Sequence, residues 1–172
     1  LAAAGCASPL RLSLASSSPP APAPAGTRLG LDEYRDGAVA LRFDASTEGI
    51  RVTVRNLSAS GPLVVEWARA LYLDPQGGRH AVVAYQSNTA AVLRQDPVEP
   101  LVLGPGEAWS GRVHPRDRIP APSGPRFFEE PLLAREEAAP GTVVRLVLPV
   151  QAGGRTAAHE FRFRLTPPEV RP

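Results

Sequence analysis

The chain of 172 residues contains no lysine and no methionine, and its single cysteine is Cys6. One cysteine excludes an internal disulfide bond and any zinc site that needs two or more thiolates. No run of 18 or more apolar residues occurs, so the sequence predicts no helix that spans a bilayer. Since all 19 basic residues are arginine, the arginine content reflects a GC-rich genome and is weak support for phosphate binding.

An excess of charge of one sign is also lacking. The formal net charge is +2, and the 19 arginines are interleaved with 17 acidic residues along the chain. Proteins that bind nucleic acid usually concentrate their basic residues on one face. A solvated surface of mixed charge is the simpler interpretation, and we expect no nucleic-acid partner.

Few residues offer catalytic or metal-binding chemistry. His80, His114 and His159 are far apart, and none has a second histidine at a metal-ligand spacing. His159-Glu160 begins like a zinc-protease motif, but Phe163 occupies the position of the second histidine. The chain has no nucleophile elbow and no glycine-rich phosphate loop. We therefore predict no catalytic residue, no metal and no cofactor, and a protein that is not an enzyme.

The amino-terminal residues carry the one motif with a definite chemistry. Ala3, Ala4 and Gly5 are small and directly precede Cys6, as in the segment before a signal-peptide cleavage site. This stretch resembles the lipobox of bacterial lipoproteins. The resemblance implies that residues 1–5 are the end of a signal peptide, that Cys6 is the lipidation site, and that the protein is anchored in the bacterial cell envelope. Two or three acyl chains anchor a protein stably.

The residues after Cys6 favour an extended conformation. Ser16–Gly26 consists of serine, proline, alanine and glycine, and alternating proline and alanine favours polyproline II. We expect residues 6–27 to form a disordered, lipidated tether, whose stretch from Ala7 to Thr27 would reach on the order of 60 Å. The lipoprotein resemblance also implies outer-membrane sorting in a diderm bacterium, since Ala7 is not aspartate. The domain would face the periplasm or the exterior.

From residue 28 to residue 167 the pattern changes to short apolar runs separated by turns. In the runs around Leu41, Val52 and Phe163, apolar and polar residues alternate, which predicts strands with one face on a core. The runs at 62–73 and 143–148 are apolar on both faces and predict central or covered strands. Further short strands are predicted at 80–85, 90–94, 101–103 and 108–113, and residues 168–172 form a tail.

The turns between these strands favour an all-β fold class. Glycine or proline occurs in the turns at 56–61, 74–78, 104–106 and 152–154. Short strands at this spacing, with little helix, predict a sandwich or a barrel. The stretch from Asn56 to Leu63 and the turn before Trp109 resemble those of immunoglobulin-like sandwiches. The resemblance implies a single immunoglobulin-like antiparallel β-sandwich of about seven to nine strands.

The segment 114–140 interrupts the strand pattern. It is long and rich in proline, and it contains Phe127, Phe128, Leu132 and Leu133. Long loops are often functional, so these four residues form the candidate interaction loop. The alternative is that they plug one end of the sandwich.

Two functions stay open for the domain. The first is a non-enzymatic module that binds another envelope protein or assists envelope assembly while a lipid holds it on a membrane. The second is a ligand-binding or protease-inhibitor-like sandwich, in which Trp67, Trp109 or Tyr85 would contact a carbohydrate, or the segment 114–140 would contact a protease. Exposed aromatic rings would favour the carbohydrate form, and buried tryptophans would argue against it.

Overall fold

The computed structural model describes residues 10–18, 32–89, 93, 98–121 and 124–166. These residues contain eleven strands, and every pairing between them is antiparallel. The strands are β1 (Arg11–Ser18), β2 (Glu33–Arg35), β3 (Val39–Ser46), β4 (Gly49–Asn56), β5 (Leu63–Val65), β6 (Leu71–Leu73), β7 (Arg79–Tyr85), β8 (Leu101–Leu103), β9 (Ala108–Pro115), β10 (Val143–Ala152) and β11 (Arg155–Leu165). Two 3₁₀ turns are Trp67–Arg69 and Arg116–Arg118.

Eight of the strands close into a barrel. Their order around the barrel is β1, β3, β4, β9, β7, β6, β10 and β11, and β11 pairs with β1 as well as with β10. The long β10–β11 ladder runs from the pair Val143 and Arg164 to the pair Ala152 and Arg155. Outside this circle, β5 and β8 extend the sheet from β10, and β2 pairs with β3. No helix in the described part of the chain is long and apolar enough to cross a membrane.

The predicted immunoglobulin-like sandwich is wrong, although the all-β class is confirmed. A sandwich consists of two separate sheets packed face to face, whereas here the hydrogen-bonded ladders continue around the molecule. Alternation with a period of two identifies a strand with one buried face, and this holds for a sandwich and for a barrel alike. The pattern therefore predicted strands without distinguishing two sheets from one closed sheet.

Strand β1 lies in the segment for which the sequence predicted a tether. It pairs with β11 on one side and with β3 on the other, so it closes the barrel. Leu12 is fully buried, and Leu10 and Leu14 pack against the same core. The disordered tether predicted over residues 6–27 does not extend through this strand; apart from Leu10, its other residues lie outside the described part of the chain.

The interior of the barrel is filled by apolar side chains. Inward and outward positions alternate along the strands, so that in β4 Val52 is fully buried while its neighbour Arg51 is exposed. Phe43 packs its ring against Phe161 and Phe163, with ring centroids 4.8 and 5.2 Å apart. An eight-stranded barrel is just wide enough for side chains to fill it. The interior is therefore a packed core, and binding chemistry has to be sought on the outside.

Candidate functional site

The predicted lipidation site, Cys6, lies outside the described residues, but its distance from the barrel is limited by the chain. Leu10, four positions after Cys6, packs against the core. An extended chain spans at most about 3.6 Å per residue, so Cys6 lies within about 15 Å of Leu10. Leu10 lines a concavity with Thr47 and Arg135, and we call this end of the barrel, defined by these three residues, the anchor end.

The structure separates the four residues of the candidate interaction loop. Leu132 and Leu133 are buried in the main core, where the Tyr72 hydroxyl donates a hydrogen bond to the Leu132 carbonyl at 3.1 Å. Phe127 is buried in a second, smaller core. Phe128 is 83% exposed. Three of the four residues therefore serve as plugs, and Phe128 alone among them presents a contact surface.

The second core lies on the outer wall of the barrel. Val83 and Tyr85 point outward from β7, and Ile119 and Phe127 cover them. The rings of Tyr85 and Phe127 meet edge to face with their centroids 5.0 Å apart. Backbone and side-chain hydrogen bonds of 3.1 and 3.0 Å join Phe127 to Asn88. The run from Ala81 to Tyr85 is apolar on both faces, which is a sequence signal that would have indicated a strand covered on the outside.

Three ionisable side chains, those of Arg112, His114 and Glu129, meet beside this second core. Arg112 Nη2 is 2.7 Å from Glu129 Oε2, and His114 Nδ1 is 3.7 Å from the same oxygen. His114 Nε2 donates to the Glu130 carbonyl at 2.9 Å. Burial raises the pKa of Glu129 and lowers the pKa of His114 to about 4. His114 is therefore neutral at pH 7, and it is fully buried, where its hydrogen bond holds the loop at Glu130.

A concavity of about 390 Å³ opens beside these ionisable groups. Its lining residues are Tyr85, Gln86, Ser87, Asn88, Arg112, Arg126 and Glu129. The Tyr85 hydroxyl and Arg112 Nε are buried and have no hydrogen-bond partner in the described part of the chain. Buried polar atoms nearly always have a partner, so these two atoms are exceptions that need an explanation. We call this concavity the outer-wall site, and it is the candidate functional site.

A larger concavity of about 480 Å³ lies over β3 and β4 and is the weaker candidate. Asp32, its most buried charged residue, pairs with Arg11 and accepts a hydrogen bond from the Leu14 backbone N–H at 2.8 Å. Both partners belong to β1, so this carboxylate ties β1 to the segment before β2. The buried group is already satisfied, and its role is structural.

His80 joins two aspartates near the surface. Its Nδ1 lies 2.6 Å from Asp117 Oδ2, and its Nε2 lies 3.1 Å from Asp74 Oδ2. The hydrogen bond to Asp117 raises the pKa of His80. The ring thus fastens the turn 116–118 to the hairpin between β6 and β7, and this supports Ile119 of the second core, which follows the turn.

The three aromatic residues considered for carbohydrate binding do not form an exposed platform. Trp67 and Tyr85 are buried. Trp109 is half-buried against the core, and its ring centroid lies 5.6 Å from that of Trp67. A sugar ring stacks on an exposed aromatic face, so this burial argues against the carbohydrate form of the alternative function.

No group of three or more His, Cys, Asp or Glu side chains that would suit a metal ion occurs among the described residues.

Comparison of the chain with protein-family models, with curated proteins and with solved structures finds no match. The anchor end and the outer-wall site therefore have to be interpreted from their own geometry.

Proposed function

We propose that this protein is a lipid-anchored, non-enzymatic module of the bacterial cell envelope that binds another envelope protein. The observation that carries the proposal is the lipobox-like Ala3-Ala4-Gly5-Cys6, placed four positions before a residue that packs in the barrel. Small residues suit a signal-peptide cleavage site, and the thiol of Cys6 is the nucleophile that would receive the lipid. Stable anchoring then follows from two or more acyl chains.

The position of β1 sharpens the geometry of this anchor. A tether over residues 6–27 would hold the domain on the order of 60 Å from the lipid. Because β1 belongs to the barrel, a lipid on Cys6 would instead keep the anchor end close to the head groups. The opposite end of the barrel, with the loop 57–61 and the turn 152–154, would point away from the membrane.

Phe128 is the proposed contact with the protein partner. Its side chain is exposed, while the side chains of Phe127 and Glu129 on either side of it are held against the barrel. Aromatic side chains are favoured anchors of protein interfaces, because they bury a large area with few rotatable bonds. The fixed neighbours present the Phe128 ring from a rigid support.

The proposal is tested with the full-length gene product expressed in a bacterium. We expect the wild type to carry acyl mass in intact-mass spectrometry and to sediment with membranes. Cys6→Ser should lose both properties, and the matched variant Ser8→Ala should keep both. In the same cells, Phe128→Ser should stay anchored and lose chemical cross-links to a membrane protein, whereas Val102→Ser, which alters another exposed apolar residue, should keep them.

Two outcomes of that experiment would contradict the proposal. Equal mass and equal sedimentation of wild type and Cys6→Ser would remove the lipid anchor. Cross-links that are absent from the wild type, or that persist unchanged in Phe128→Ser, would remove the contact assigned to Phe128.

A further inference from the structure

The outer-wall site has hydrogen-bonding capacity that the described chain does not use, and we propose that it binds a small ligand through a single carboxylate group. The carboxylate oxygens would accept hydrogen bonds from the Tyr85 hydroxyl and from Arg112 Nε, and they would pair with the Arg126 guanidinium. The assignment does not depend on lipid anchoring, because it rests on the wall of the barrel and not on Cys6.

The two residues that carry these unpartnered atoms are neighbours in the sheet. Tyr85 in β7 and Arg112 in β9 are register partners, and both side chains point to the outer face. Tyr85 is 5% exposed, and its hydroxyl and Arg112 Nε are both without a partner among the described residues. The guanidinium Nε–H is a donor only, and the tyrosine hydroxyl can donate. The complementary ligand group is therefore a hydrogen-bond acceptor.

The charge of the lining residues defines the acceptor further. Arg112 is paired with Glu129 at 2.7 Å, so these two charges offset each other. Arg126 is exposed and has no ion pair within the described residues. One positive charge is left, and it complements a monoanion. A phosphate, which carries about 1.5 to 2 negative charges at pH 7, would place the extra charge beside the Glu129 carboxylate, so a carboxylate fits better.

The walls of the site are fixed and its opening is not. The Tyr85 ring is held against Phe127, and the Asn88 segment is hydrogen-bonded to Phe127 on both sides of that contact. Fixed donors of this kind favour binding, since little ordering is required. Ser87 and Arg126 are exposed lining residues, whereas the Gln86 side chain donates a hydrogen bond to the Ser110 carbonyl at 3.1 Å. A ligand would reach the two buried donors by displacing the Ser87 and Arg126 side chains, since exposed side chains change rotamer within nanoseconds.

The probe for this proposal is N-acetylglycine, a small carboxylate that the volume of about 390 Å³ can accommodate. Detergent-solubilised full-length protein is titrated with it and followed by calorimetry and by amide chemical shifts. We expect saturable binding with shifts centred on residues 85–88, 112 and 126. N-acetylglycinamide, which lacks the charge, and inorganic phosphate should bind more weakly. No saturable binding of N-acetylglycine, or equal binding of the amide or of phosphate, would overturn the carboxylate assignment.

Two variants test the residues. Tyr85→Phe keeps the ring on Phe127 and should weaken binding about tenfold, because it removes one hydrogen bond to a charged group. Arg126→Gln, at an exposed side chain, should weaken binding comparably, and Arg155→Gln at the β10–β11 turn, which does not line the site, should leave it unchanged. If the Tyr85 hydroxyl contacts no ligand, Tyr85→Phe would bind N-acetylglycine as tightly as the wild type does. That result, or wild-type binding by Arg126→Gln, would refute the proposal, whether or not Cys6 is acylated.

Discussion

Single buried polar residues join the barrel strands to the segments that pack against them. Asp32 binds Arg11 and the backbone of β1. Asn56, which is also buried, donates from Nδ2 to the carbonyls of Gly61 and Leu103 at 3.1 and 3.0 Å. His114 donates to the loop at Glu130. In each case the partner is distant in sequence or lies in a loop, so the role of the residue follows only from the folded chain.

Phe127 and Phe128 show where prediction from sequence ends at this scale. The two residues are identical and adjacent, and the sequence treated both alike, as part of one contact surface or of one plug. The structure buries Phe127 against Tyr85 and exposes Phe128. Successive side chains face opposite ways here, with Phe127 and Glu129 against the barrel and Phe128 in solvent, and the hydrogen bonds between Phe127 and Asn88 hold Phe127 inward. Such long-range register has no local signal.

His114 makes the free energy of unfolding depend on pH. Burial lowers its pKa to about 4 in the folded chain, whereas the unfolded value is about 6.5. The unfolded state therefore binds the proton more readily. The contribution of neutral His114 to the free energy of unfolding is fully present above pH 6.5 and declines as the pH falls toward 4. Between pH 7 and pH 4.5 this group should cost about 2–3 kcal/mol of the free energy of unfolding.

Urea denaturation at the two pH values measures this loss. His114→Gln keeps a donor for the Glu130 carbonyl and does not titrate, so it should lose less stability on acidification than the wild type. His80→Gln is the matched control. Because the pKa of His80 is raised and its protonation favours the folded state, this variant should not lose less stability on acidification than the wild type. An equal acid loss in wild type and His114→Gln would show that other groups cause it.

At the scale of strands, local alternation of apolar and polar residues predicted where strands occur, but it did not predict that the sheet closes. The strands β3, β4, β10 and β11 coincide with runs predicted from period two or from apolar character. Turn predictions also held, since Gly61 and Gly106 have φ of +93° and +76°, a conformation that favours glycine. Strand β1 was missed although leucine alternates at 10, 12 and 14, because the neighbouring Ser, Pro and Ala residues outweighed a three-residue pattern.

Substitution of Leu12 tests whether β1 belongs to the barrel. Leu12 is fully buried among core residues, and shortening a buried leucine to alanine typically costs about 2–5 kcal/mol. Leu12→Ala should therefore lower the free energy of unfolding by about that amount, whereas Ser16→Ala, at an exposed position of the same strand, should change it by less than about 0.5 kcal/mol. Equal stability of both variants in chemical denaturation would contradict the place of residues 11–18 in the barrel and would favour the tether.

For the whole molecule, the sequence predicted the class and not the pairing. An all-β chain with short strands and glycine turns is compatible with a sandwich and with a barrel. The choice between them is made by the pairings of β11 with both β10 and β1, which join residues near the two ends of the described chain. The same closure places Leu10 at one end of the barrel, and it thereby gives the proposed anchor a direction.

That direction is measurable if Cys6 carries lipid. Arg135 is exposed at the anchor end, and Ser60 is exposed in the loop at the opposite end. A strand of eight residues in a tilted barrel separates the two positions by about 20 Å along the axis. A fluorophore on Arg135→Cys should therefore be quenched strongly by nitroxide-labelled head groups in native membranes, and one on Ser60→Cys weakly. In the Cys6→Ser background neither should be quenched. Equal quenching at both positions in the acylated protein would contradict this orientation, because a lipid within about 15 Å of Leu10 would hold Arg135 nearer to the head groups than Ser60.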